Sequence, residues 1–466
     1  MSNVRTPVPI NTAEAIFEPF WDPQLSGLAD WKVTDGAGHG LKVYQEWCWA
    51  VFTWQDRPAK GPALSMRLAT RVSCAGYDRL LLVLRAPPGT RVTVIATTDR
   101  GVRQITRPAD PLEKIEVALP LRGARTIRRI VIEVAPDAAG PATGWLCWAG
   151  LQNTRRLKDH LALWDRALPP PGKHLRPITA SYAFKPAYGV MVDAARIDAM
   201  RRDPAAIQHC EKVRRAARAF RPEILRNECL RIFMDNRYNR VRHHKRPFYI
   251  GCGELAQAGI VLRDARLLRL AARTALVLAM CPQWEENLIC EFPGGIFEHR
   301  CFTHTQLMAD ICTAMDLAGE AFSETGRDYL LRRLAEEGLG RTNFIIWKHD
   351  YTFHNNQFAA FAHGRFAAYA VLAKHWKHVE PYLELAYKEL LENFDSILLP
   401  DGGYAEGPSY FAYGVGIGLG ALEVYARFRG VPFAEVVPSR VKLTGNFAYC
   451  LGSTSTGCDF IPFGDA

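Results

Sequence analysis

Pro169-Pro170-Pro171-Gly172 marks the point at which this sequence changes its period. Consecutive prolines offer no backbone N–H to a strand ladder and do not fit a helix interior, and glycine enters turns at no steric cost. The stretch therefore opens a linker, residues 169–190. The spacing of apolar residues differs on its two sides, and that difference sets the fold class.

Upstream, residues 1–168 read as β. Leu41–Trp54, Arg79–Arg85, Arg91–Thr98, Glu113–Leu119, Ile127–Val134 and Trp145–Leu151 alternate or are rich in β-branched and aromatic residues. Turn clusters such as Ala86-Pro87-Pro88-Gly89-Thr90 separate them. Short strands at this spacing predict an antiparallel β-sandwich, jelly-roll-like. Trp31, Trp47, Trp49, Trp54, Trp145 and Trp148 all fall here. Most sandwich tryptophans are core, whereas exposed ones stack on sugar rings.

Downstream, residues 191–466 switch to helical spacing. The expected helices are Asp193–Arg202, Ala205–Phe220, Glu254–Met280, His304–Leu317, Arg327–Trp347, Asn356–Trp376, Pro381–Phe394, Ala412–Arg427 and Pro438–Leu451. Helices in succession, with almost no strand signal between them, predict stacked antiparallel hairpins. Such hairpins build an α/α toroid with a cleft at one end, and a helical solenoid satisfies the same pattern.

A chain of 466 residues is too long for one ordinary core. Its 48% hydrophobic and 23% charged content is that of a globular protein. The net charge of +10 favours an anionic partner. No nucleic-acid-binding signature accompanies the charge, which points away from nucleic acid. No run of apolar residues is long enough to span a membrane. Met1–Phe20 lacks a basic segment followed by an apolar one, so no secretory signal is read. The 12 cysteines show no CxxC spacing and read as buried free thiols of a reducing compartment. The sequence thus reads as cytoplasmic, or periplasmic or secreted if a leader has been removed.

Two stretches carry candidate chemistry. Asp401-Gly-Gly-Tyr-Ala-Glu-Gly-Pro-Ser-Tyr-Phe-Ala-Tyr-Gly414 combines turn glycines with Pro408 at the start of a helix. Tyr410 and Tyr413, three apart, share a helix face. Lys348-His-Asp-Tyr-Thr-Phe-His-Asn-Asn-Gln357 precedes a long apolar helix. Thr352, Asn355 or Asn356 could cap that helix, and Asn356, Gln357 and His354 form a dense set of donors. A third stretch, Arg237-Tyr-Asn-Arg-Val-Arg-His-His-Lys-Arg246, reads as a solvated basic loop or as an anion clamp through Arg237, Arg240, Arg242 and His243.

Neutral donors beside a tyrosine in a basic cleft suit β-elimination at a uronic acid. The C5 proton is weakly acidic because the neighbouring carboxylate is already anionic, so donors to that carboxylate stabilise the developing charge. A tyrosine can take the C5 proton and protonate the departing O4 if nearby cations lower its pKa. Neither metal nor other cofactor is required.

Asn-Asn-Gln before an apolar helix, followed by Asp-Gly-x-x-x-Glu-Gly-Pro-x-Tyr-x-x-Tyr, resembles the heparinase II/III-type polysaccharide lyases over about residues 190–466. The resemblance implies an α/α toroid catalytic domain, Tyr410 as the catalytic tyrosine and Asn356 as the asparagine that helps neutralise the uronate carboxylate. Gln357 stands where many relatives carry histidine, and His354 is the imidazole available in its place. The toroid is expected to be incomplete, without the C-terminal β-sandwich of such lyases. Catalytic roles thus fall to Tyr410, Asn356 and His354. Gln357, Tyr413, Glu406, Arg237, Arg240, Arg242 and His243 are the expected substrate contacts, with Glu406 more a brace than an acid.

Two other readings compete. A toroid glycoside hydrolase would use paired carboxylates from Asp350, Asp401 and Glu406. A non-catalytic module would bind an acidic glycan through the same basic cleft. Ultraviolet absorbance from an unsaturated product separates a lyase from the first, and binding without product identifies the second.

Overall fold

The computed structural model describes residues 16–21, 26–35, 39–46, 49–56, 61–109, 115–166, 171–177, 181–227, 229, 251–284, 301–348, 350–404 and 406–451. Among these, residues up to 163 form one compact unit and those from 164 onward a second.

The first unit is a sandwich of two antiparallel sheets. One sheet has the order β3 (Lys42–Glu46), β4 (Trp49–Trp54), β11 (Ala142–Gln152), β6 (Arg79–Arg85), β9 (Ile115–Pro120), with β1 (Phe17–Trp21) also pairing β11. The other runs β2 (Trp31–Asp35), β5 (Leu64–Ser73), β10 (Thr126–Pro136), β7 (Thr90–Thr98), β8 (Gly101–Pro108). Period-two alternation places Leu80, Leu82 and Leu84 of β6 in one core with Val92, Val94 and Ala96 of β7 and Ile130, Ile132 and Val134 of β10. Trp21, Trp31 and Trp54 belong to the same core, and Trp148 is fully buried. Gly144 is required by close approach, since a Cβ there would lie 2.7 Å from the Arg85 carbonyl oxygen and collide with the Phe52 ring. The expected single run Leu41–Trp54 is instead the hairpin β3–β4. Strands β1, β2, β5 and β8 were not expected, because Arg67, Arg71, Arg103 and Arg107 interrupt the apolar signal in β5 and β8.

The second unit is helical. Helix α1 (Thr154–Arg166) lies in the first unit up to Leu163, and the second unit comprises α2 (Ala194–Arg202), α3 (Pro204–Ala217), α4 (Cys252–Val261), α5 (Ala265–Met280), α6 (Phe302–Leu317), α7 (Glu324–Arg333), α8 (Gly340–Lys348), α9 (Asn356–Ala373), α10 (Glu380–Ile397), α11 (Pro408–Arg429), α12 (Phe433–Val436) and α13 (Ser439–Leu451). The expected helix Glu254–Met280 is broken in two, because Arg263 takes a positive φ of 52° and Asp264 caps the amides of Arg266 and Leu267. Arg327–Trp347 contains a π-helical turn, Leu334–Leu339, between α7 and α8.

Glycine contacts fix the direction of the central helices. Gly414 and Gly420 of α11 face Asn356 and His363 of α9, so these two run parallel. Phe302 and Thr305 of α6 meet Phe361 and Gly364 of α9, so α6 is parallel to both. The intervening α10 is antiparallel to α9, with Asn393 reaching Asn355 and Glu389 reaching Arg365. Parallel helices with an antiparallel return between them are the hairpin arrangement expected of a toroid segment.

The stretch expected as a linker is bonded into this helical unit over its described residues. The carboxylate of Asp316, fully buried on α6, accepts from the backbone amides of Tyr188 (2.7 Å), Gly189 (2.9 Å) and Met191 (2.8 Å). Leu175 also pairs with Phe322 in an isolated bridge.

Candidate functional site

Because α6, α9 and α11 run parallel, their N-termini lie at one end of the helical unit. Each contributes the positive end of its peptide dipole and a set of amides without intrahelical partners. The two chemical stretches of the sequence form the starts of α9 and α11.

The start of α9 is held from both sides. Asn355 is its N-cap, accepting from the Gln357 amide at 2.8 Å. Buried Asn393 of α10 donates to the carbonyls of Phe353 (2.8 Å) and Asn355 (3.0 Å), which fixes the preceding turn. Asn356 therefore begins the helix as a buried residue, 7% exposed.

The start of α11 is shaped by glycines. Gly402 has φ +88°, and a Cβ there would come within 2.5 Å of the Leu443 carbonyl carbon, so no other residue fits. Asp401 accepts from the Gly403 amide at 2.9 Å and is exposed, an Asx turn rather than a catalytic acid. Gly407, at φ +92°, leads into Pro408 at the first helical position. Tyr410 and Tyr413 thus both lie in the first two turns of α11, which starts before the expected Ala412. Phe411 anchors this turn between Tyr404 (6.0 Å) and Phe447 (5.2 Å).

Glu406 joins the two helix starts. Its carboxylate receives the Asn356 side-chain amide, with Nδ2 at 3.1 and 3.0 Å from the two oxygens, and the Asn356 backbone N–H at 3.3 Å. The Tyr404 hydroxyl donates to the same carboxylate at 2.8 Å. An ionised carboxylate only accepts, so it fixes which end of the Asn356 amide is the nitrogen. Gly414 permits this approach, since a Cβ there would lie 2.9 Å from the Tyr404 hydroxyl and 3.2 Å from the Asn356 Cβ.

The two tyrosines of this cluster differ in environment. Tyr404 is 2% exposed, and its hydroxyl pKa is pushed far up by burial, then by the charge and hydrogen bond of Glu406, with neighbouring Tyr410 adding to the shift. The shift favours the protonated form of Tyr404, which donates to Glu406. Tyr410, close enough to Tyr404 to affect its hydroxyl, is half-buried. Tyr413 turns to α6, its ring 6.3 Å from that of Phe302.

Of the remaining expected residues, Gln357 follows Asn356 in the first turn of α9 and is half-buried. His354 is exposed on the turn before α9, its Nδ1 2.9 Å from the Ser396 hydroxyl of α10. Arg237, Arg240, Arg242 and His243 lie outside the described residues, as does the side chain of Asp350. Tyr404, Asn393 and Phe302 were not foreseen. Tyr404 sits inside the quoted Asp401–Gly414 stretch, but Asn393 lies mid-helix and carries no local signal.

Among the described residues, no group of three or more histidine, cysteine, aspartate or glutamate side chains is arranged to hold a metal ion. No described helix is long and apolar enough to cross a membrane.

No family model matches the chain, and no curated protein matches it. Solved structures give low similarities. An agarase matches at 10% identity and a TM-score of 0.24, covering 29% of this chain and 26% of that chain. A variant of a family 29 carbohydrate-binding module matches at 11% identity and 0.22, covering 29% of this chain and 91% of that one. A family 11 carbohydrate-binding module from Clostridium thermocellum, in complex with a β-1,3-1,4-mixed-linked tetrasaccharide, matches at 9% and 0.21, covering 29% and 95%. The chain spans about a quarter of the agarase, and likenesses this low bear on neither its fold nor its ligand.

Proposed function

We propose that this protein is a polysaccharide lyase of the heparinase II/III type, cleaving a uronic-acid-containing anionic polysaccharide by β-elimination. The observation that carries this reading is the bond of Asn356, at the start of α9, to Glu406, just before α11, whose first turn carries Tyr410. In this reading one hydrogen of the Asn356 amide stays on Glu406 and the other is offered to the substrate carboxylate. The helix N-termini add partial positive charge where the enolate-like charge develops.

Tyr410, as phenolate, takes the C5 proton. The C5–H electron pair becomes the C4–C5 double bond, the C4–O4 bond breaks, and the departing O4 receives the proton back from Tyr410. Glu406 acts as a positioning residue for Asn356, and Tyr404 holds Glu406. The hydrolase reading loses one of its carboxylates, since Asp401 belongs to a turn.

The test is a panel of heparin, heparan sulfate, alginate, hyaluronan and bacterial exopolysaccharides, followed by ultraviolet absorbance. A rise with one of them that disappears in Tyr410→Phe is expected. Undiminished turnover in Tyr410→Phe refutes the assignment of the base. Binding without product from any member identifies a glycan-binding protein instead.

A further inference from the structure

The sandwich carries a surface that the helical chemistry does not use. Direct cross-strand partners share a sheet face. Tyr44 of β3 pairs with Val51 of β4, Val51 with Trp145 of β11, and Trp145 with Arg85 of β6. The core holds the opposite parity, with Phe52, Leu82 and Leu84 among its members, so Tyr44, Val51, Trp145 and Arg85 form a row on the outer face. Tyr44 is 44% exposed, Val51 between the two aromatics is 1% exposed, and Trp145 is half-buried. The Arg85 guanidinium lies 5.5 Å from the Trp145 ring centroid.

One step along the strands is a second row of Lys42, Thr53 and Thr143, also cross-strand partners. It opens into a cleft of about 420 Å³, lined also by Gly40, Gln55 and Pro141. That volume falls within the usual range for small-ligand sites. Gly40, at φ +66°, lets Gln55 lie along its backbone, since a Cβ there would come within 3.1 Å of the Gln55 side chain. Farther across the sheet the same face closes, with Val83, Leu81 and Trp148 at most 1% exposed, so the available ground is the β3–β4–β11 edge.

We propose that this edge of the sandwich binds an anionic, pyranose-containing polysaccharide, independently of any chemistry in the helical unit. Tyr44 and Trp145 are two strand spacings apart, about 10 Å, and present ring surface for the C–H faces of sugars. Thr53, Thr143 and Gln55 offer hydroxyl and amide groups to the sugar hydroxyls. Lys42 and Arg85 form no ion pair with a described carboxylate and supply the positive charge for carboxylate or sulfate groups. Glu46 lies at the far end of β3 on the same face, which directs the anionic groups toward the Lys42 end.

The test is affinity electrophoresis of the full chain in gels containing alginate, heparin or a neutral β-glucan. Retardation by alginate or heparin but not by the glucan is expected. It should weaken about tenfold in the double variant Tyr44→Ala/Lys42→Ala, whose sites are exposed and do not support the core. Tyr410→Phe should leave it unchanged, so loss of elimination and loss of this binding are separately readable. The proposal is overturned if no acidic polymer retards the chain, if the glucan retards it equally, or if the double variant migrates as the parent does. Circular dichroism of the double variant must match the parent. If it does not, Thr143→Lys, which adds charge to the same cleft, must strengthen retardation by the acidic polymers, and failure to do so also overturns the proposal.

Discussion

The two units hide different things from water. The sandwich interior is almost wholly apolar, with Trp21, Phe52, Leu82, Val94 and Ile132 in one continuous core. The helical unit buries Arg365, Asp316, His304, Glu337, Asn393 and Asn356. Burying a polar or charged group is unfavourable unless it is paired, so each one has to be held in a specific geometry. Asp316 ties residues 188–191 to α6, Asn393 ties the turn at Phe353–Asn355 to α10, and Glu406 ties α9 to α11. The sandwich is stabilised by area, whereas the helical unit is located by particular bonds. The reaction centre proposed at the helix starts depends on the second kind of interior.

The largest test of this contrast is Arg365. It is 1% exposed, its Nη1 lies 2.5 Å from Glu389, its Nε donates to Asn343 at 2.8 Å, and it packs near the rings of Trp347 and Tyr369. Arg365→Ala leaves a buried carboxylate uncompensated and is expected to cost about 3–5 kcal/mol, measured by urea denaturation. Replacing both partners, Arg365→Leu with Glu389→Leu, should cost much less than that single change. If the single variant melts like the parent, the polar interior is not what locates these helices.

The sandwich counterpart is Gly144→Ala. Here the interior is apolar and close-packed, and the added methyl meets the Phe52 ring and the Arg85 carbonyl. A loss of about 1–3 kcal/mol is expected, with thermal melting as the measurement. The defect should show no dependence on pH, unlike that of the polar interior.

What could be read in advance follows the same division. Runs that alternate or are rich in β-branched and aromatic residues identified β6, β7, β9, β10 and β11, because their inward residues are apolar. The same reading missed β5, where Arg67 and Arg71 dilute the apolar content, and β8, where Arg103 and Arg107 stand on the core-facing side beside Ile105, opposite Ala96 and Val92. The helical series was legible from apolar spacing, yet its polar bonds were not. Asn393 and Asp316 lie within helices whose sequence shows only amphipathic spacing, and their partners are 38 and 125 or more residues away. Asn356, Glu406 and Tyr410 could be picked out because turn glycines and helix starts concentrate them in short motifs. The bond between Asn356 and Glu406 needed the parallel packing of α9 and α11, which no local pattern encodes.

A smaller effect should appear in acid. His304 is fully buried on α6, with Nε2 3.5 Å from Glu337, too long for a strong hydrogen bond. Burial lowers its pKa, the contact with Glu337 opposes this, and Arg341 and Arg333 add to the lowering. Burial alone would raise the pKa of Glu337, but His304, Arg333 and the Trp284 amide bring it below the usual carboxylate value. The unfolded chain therefore binds more protons than the folded one once pH falls below the ordinary histidine value of about 6.5. Stability is lost as pH drops from there toward the folded-state pKa of His304, and then through that of Glu337. His304→Gln should flatten the first part of this decline in melting temperatures taken between neutral pH and pH of about 5. An unchanged slope would mean that His304 is not the group titrating there.

The smallest expected effect distinguishes helix surface from helix contact within α11 itself. Gly416 is exposed, and a Cβ there would meet nothing within 4 Å. Two residues on, a Cβ at Gly418 would come within 2.6 Å of the Phe394 ring. Gly416→Ala removes conformational freedom from the unfolded chain without new contact and should stabilise by about 0.5–1 kcal/mol. Gly418→Ala should destabilise by forcing α10 and α11 apart. Opposite signs in chemical denaturation would show that the glycines of this helix serve its packing against α9 and α10. If Gly418→Ala stabilised as well, α11 could shift without loss, and the close approach of Gly414 to Asn356 would not be fixed by this packing.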